Sequence, residues 1–127
     1  MTLNLGRTND TEPLITGESH VIVHSFMRTD MELTNIEIWV FAIIYGFFMN
    51  GLTYCGSRKY LAEWAGCGLT SIDHAMSSLL KKGYIRKIGN YNKRTEYTVR
   101  IENLPSIPEH KRMIELNSSE KNGVRSV

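Results

Sequence analysis

Residues 57–88 read SRKYLAEWAGCGLTSIDHAMSSLLKKGYIRKI. Ser57 is a good helix N-cap, and Arg58 to Ala65 follow it without a breaker. Gly66-Cys67-Gly68 then turns the chain sharply. From Leu69 onward, apolar residues recur at Ile72, Ala75, Met76, Leu79 and Leu80, one stripe at helical spacing. The other face carries Thr70, Ser71, Asp73, His74, Ser77 and Lys81. Lys81 and Lys82 complement the negative end of the helix dipole, and Gly83 supplies a left-handed stop. The pattern predicts a short helix over 58–65, a tight turn, and a longer helix over 69–82.

Working outward from there, Tyr84 to Ile88 alternates as a short strand. Gly89 to Arg94 reads as a polar hairpin loop. Thr95 to Ile101 returns, with Tyr97, Val99 and Ile101 on one face. Upstream, Thr34 and Glu37 have the spacing of a capping box, immediately before an apolar run. A first helix is expected over 35–49, ending at Asn50-Gly51. Ile36, Ile38, Trp39, Val40, Phe41, Ala42, Ile43, Ile44, Tyr45, Phe47, Phe48 and Met49 leave it almost no polar face, so it must be covered on all sides. His20 to Phe26 is β-branched and partly alternating, which predicts a further strand, and Thr29 to Glu32 a turn. Residues 1–19 read as a loose arm. Residues 105–127 read as a tail in which Glu109 to Leu116 forms one or two helical turns and the last stretch stays disordered.

Strand, helix, helix, tight turn, helix, strand, basic hairpin and strand is the order of a winged helix-turn-helix. The expected class is therefore α+β, mainly α, with three helices and a small antiparallel sheet carrying one wing over 20–104. The length of 127 residues suits one such domain. No apolar run is long enough to span a membrane, and the opening residues lack the apolar core of a secretory signal, so a cytoplasmic location is expected. Cys55 and Cys67 have no metal-ligand spacing and no disulfide is expected of them in a reducing compartment. His20 and His24 share the expected strand over 20–26, and His74 and His110 lie far from it on other elements. No phosphate-cradling glycine loop or nucleophile elbow appears, so neither catalysis nor a metal or cofactor is expected.

The formal net charge of +2 hides an asymmetry. Residues 1–56 carry two basic and six acidic side chains, whereas 57–100 carry nine basic and three acidic. A basic middle placed on a helix-turn-helix predicts a duplex DNA face. The third helix would present Thr70, Ser71, Asp73, His74 and Ser77 to base edges, small polar groups that allow close approach. Ser57, Arg58 and Lys59 at the start of the second helix, with Tyr91, Asn92, Lys93 and Arg94 in the wing, would hold the backbone. A homodimer is expected through the aromatic helix, with Ile38, Trp39, Phe41, Tyr45 and Phe48 as the interface. The competing reading is a protein-docking winged helix that uses the same aromatic helix and makes no use of the basic middle.

Three blocks sharpen the reading: Trp39 to Phe47 (WVFAIIYGF), Gly56 to Trp64 (GSRKYLAEW), and Ile72 to Leu79 continuing into Lys82-Gly83-Tyr84-Ile85. In these the chain resembles the winged-helix domain at the N-terminus of phage replisome organisers and plasmid replication-initiation proteins of Gram-positive bacteria. The last block is common to most winged helices and marks the fold alone. The resemblance implies duplex DNA binding in replication initiation or transcriptional control on a mobile element, with a replication or other protein partner on the tail. Similar sequences often open the third helix with Ser or Thr where this chain has Gly68, and they run on into a longer C-terminal region. The length here suits a stand-alone DNA-binding protein or small regulator.

Overall fold

The helix with no polar face becomes the axis of the core. In a computed structural model the described residues are 15–91 and 94–121. They form α1 (Ser25–Thr29), α2 (Asn35–Met49), α3 (Arg58–Ala65), α4 (Leu69–Lys82), β1 (Ile85–Tyr91), β2 (Arg94–Val99), a 3-10 turn (Ile101–Asn103) and α5 (Pro108–Lys121). The architecture is α+β and mainly helical, with a two-stranded antiparallel sheet.

The expected capping box starts α2. Thr34 Oγ1 accepts from the Glu37 N–H at 3.4 Å, and Glu37 Oε1 accepts from the Thr34 N–H at 3.0 Å. Glu37 is buried, and Lys82 Nζ donates to the same Oε1 at 3.1 Å, so the end of α4 is tied to the start of α2. Burial pushes the Glu37 carboxyl up. Hydrogen bonds from Ser78, the Thr34 backbone and Lys82 outweigh it and hold the group below its ordinary value.

Nine residues of α2 are buried, and Val40, Phe41 and Ile44 are fully enclosed. Each such side chain contributes about 1.5–3 kcal/mol through removal from water. Cover comes from the same chain: α1, α3, α4 and β2 all pack on α2. This corrects the expected dimer surface. Ile38, Phe41 and Tyr45 lie inside the single chain and offer nothing to a second copy or a docking partner. Trp39 is half-buried under Trp64 of α3, the rings stacked with centroids 6.0 Å apart, and Phe48 is half-buried as well.

The strand expected over 20–26 is absent. Residues 19–24 have no regular structure, and α1 begins at Ser25. Ile22 and Val23 are exposed, with no ladder beside them. β-Branched residues favour a strand only where a neighbouring strand receives them. The partner position on β2 is instead taken by Tyr54, whose backbone bonds reciprocally to Tyr97 at 3.0 and 2.9 Å.

The hairpin is longer than expected. Pairing runs from Ile85↔Val99 to Tyr91↔Arg94, so Gly89 to Tyr91 are strand rather than loop, and only residues 92 and 93 join the two strands. A register shift between Lys87 and Gly89 leaves Ile88 as an extra residue, the device by which a ribbon bends and twists.

The C-terminal helix is also longer than one or two turns, reaching Lys121. It sends His110 into the core, at 1% exposure. His110 Nδ1 lies 2.7 Å from the Pro105 carbonyl, which only accepts, so Nδ1 donates. In the neutral ring Nε2 then accepts from the Tyr45 hydroxyl at 2.8 Å. Phe26 packs edge-on against both rings. Burial, helped by the charge of Glu109, pushes the Tyr45 phenol up to about 12.

Candidate nucleic-acid interface

The geometry around α4 is set by three helix caps. Ser57 Oγ accepts from the Tyr60 N–H at 3.1 Å and starts α3. Gly66 and Gly83 end α3 and α4 in the left-handed conformation. Ile72, Ala75, Met76 and Leu79 point into the core. The opposite face therefore points outward by helical geometry. Thr70, Asp73, His74 and Ser77 are exposed there, and Ser71 sits half-buried at its border. Thr70, His74, Ser77 and Lys81 recur at helical spacing and form one exposed line. All five residues expected to meet bases thus share one region, four of them fully open.

The expected backbone contacts fare differently. Lys59 is exposed at the second position of α3. Ser57 has its hydroxyl engaged as the cap, and its carbonyl accepts from Tyr54 Oη at 2.7 Å. Gly56 is required at this point, since a Cβ there would come within 2.5 Å of the Tyr54 hydroxyl. Arg58 is paired with a residue of the base-facing set: its Nε lies 2.5 Å from Asp73 Oδ1. Arg94 is half-buried at the turn end of the hairpin, where it lines a cleft of about 230 Å³ with Ser57, Arg58, Met76 and Thr95. Tyr91 ends β1 opposite Arg94. Asn92 and Lys93 lie outside the described residues.

Three residues join the site that the sequence reading missed. Leu69 belongs to the apolar stripe by spacing, yet it is 53% exposed at the first position of α4. It stands beside Thr70, as an apolar side chain would to meet a thymine methyl. Arg86 and Lys87 are adjacent in β1 and both are exposed. β1 pairs only with β2 among the described residues, so these cations lie on a sheet edge. Two neighbouring charges in one strand are the sequence signal of such an edge. Lys59, Lys81, Arg86 and Lys87 make no ion pair among the described residues. Lys82 and Arg100 are engaged, by Glu37 at 3.1 Å and Glu102 at 3.5 Å.

Among the described residues no three His, Cys, Asp or Glu side chains converge as a metal site requires. Cys55 is buried, Cys67 is half-buried, and the two are not joined by a disulfide. No described helix is long and apolar enough to cross a membrane. Comparison with family models, curated proteins and solved structures finds no match to this chain.

Proposed function

We propose that the chain binds duplex DNA as a winged helix-turn-helix, with α4 in the major groove and the hairpin against the backbone. The observation that carries this reading is the outer face of α4. It is an open row of small polar side chains ending in Lys81, and Lys59 on α3 with Arg86 and Lys87 on β1 add exposed cations that make no ion pair among the described residues. Small polar groups permit close approach to base edges, and unpaired cations release counterions on meeting phosphate. A role in replication initiation or transcriptional control on a bacterial mobile element follows from the resemblance carried by residues 39–47, 56–64 and 72–85. Docking a protein through α2 is disfavoured, because its expected contact residues Ile38, Phe41 and Tyr45 are interior.

The test is fluorescence-anisotropy titration of a random duplex at several salt concentrations. Log affinity should fall linearly with log salt. Replacing Arg86 and Lys87 together with Ala should flatten that slope by about two units while weakening all sequences alike. Absence of binding at low salt would refute the reading.

A further inference from the structure

We infer that Arg58 reads a guanine in the major groove and that Asp73 is the residue that positions it for that contact. The inference rests on the proposed DNA reading and changes what Arg58 does within it. By its place at the start of α3, Arg58 belongs to the backbone-holding set. Its one partner among the described residues points elsewhere. Asp73 stands on the outward face of α4, three positions after Thr70 and four before Ser77. The Nε–Oδ1 contact of 2.5 Å therefore draws the guanidinium from α3 across to the row that faces bases.

The electrostatics favour a base over a phosphate. Beside the Asp73 carboxylate, Arg58 forms a pair with no net charge. A phosphate arriving at that pair would meet a carboxylate as well as a cation. A guanine edge is neutral and offers two coplanar acceptors, O6 and N7. One carboxylate satisfies only part of the guanidinium's N–H donors, and the rest remain for that edge. The two side chains are 49% and 55% exposed, so the pair is open to a ligand. The hold on Nε also fixes a long side chain beforehand, which lowers the ordering cost of a two-point contact. Lys59, which makes no ion pair among the described residues, keeps its place as a phosphate contact.

The experiment uses the full chain. A duplex is selected from a random pool by the wild-type protein, and each fixed guanine is then replaced in turn by 7-deazaguanine, which lacks the N7 acceptor. One such replacement should weaken wild-type binding about tenfold, the scale of a lost base contact. Arg58→Lys keeps the charge but loses the fork. It should become indifferent to that replacement while its salt slope on random duplex stays as in the wild type. Asp73→Asn should lose most of the guanine preference and bind random duplex as well as or better than the wild type. Circular dichroism of each variant checks that the exposed substitutions leave the fold intact. If Arg58→Ala instead weakens selected and random duplex equally and flattens the salt slope by about one unit, Arg58 is a phosphate contact and the inference is wrong. If the wild type binds no duplex with salt dependence, the DNA reading itself fails and takes this inference with it.

Discussion

α2 and α4 are nearly the same length, fifteen and fourteen residues, and they pack against each other. Their surfaces are used in opposite ways. α2 buries nine residues, opens with a two-sided cap and passes a carboxylate to Lys82. α4 buries four, starts at Gly68 without a side-chain cap and leaves its outer face open. A helix whose surface is consumed by its own chain specifies shape and has no groups left for a ligand. A helix with half its surface unspent is held in place by the first and is free to meet something else. Three of the five residues expected at a dimer interface, Ile38, Phe41 and Tyr45, are interior for this reason: an apolar surface is a docking surface only where the fold has not already covered it.

The contrast can be broken from the α2 side first. Phe41→Ala should cost about 3–5 kcal/mol in urea unfolding, since it opens a cavity at a fully enclosed aromatic. A loss near zero would mean that α2 is not the core. Glu37→Gln comes next, at about 1–2 kcal/mol, because the charged acceptor of the capping box and of Lys82 is lost together. The sign with pH follows from the lowered carboxyl. In the wild type this contribution is present above the ordinary Glu value of 4.5 and is lost as pH falls through the lower folded value. Acid titration of the unfolding free energy should show that limb in the wild type and not in the Gln variant. On α4 the expected effect is smallest. Asp73→Asn should leave stability within about 0.5 kcal/mol, as an exposed pair contributes little. A larger loss would show that the Arg58 pair is structural and blur the division between the two helices.

The boundaries of α2, α3 and α4 were legible because local chemistry decides them. Thr34 with Glu37, Ser57, Gly66 and Gly83 each start or stop a helix whatever lies beyond. The outer face of α4 was legible for the same reason, through helical periodicity. What periodicity misses is pairing across the chain. His20 to Phe26 has strand composition, but Tyr54 takes the place on β2, forty-three residues upstream of Tyr97 by number. Arg58 and Asp73 each look available in sequence, and only the fold shows that they meet. Leu69 follows the apolar spacing but stands at the first position of α4, where the core does not reach it. The extension of the hairpin to Tyr91 likewise depends on the extra residue at Ile88, which no alternation pattern shows.

The burial of His110 changes where this domain stops as a practical unit. A fragment cut after Leu104, just past the hairpin, would remove a buried side chain that packs on Tyr45 and Phe26. It would also take away the acceptor of the Tyr45 hydroxyl and open that ring to water. Shortening the tail before His110 is thus a change in the interior and not a trimming of the surface.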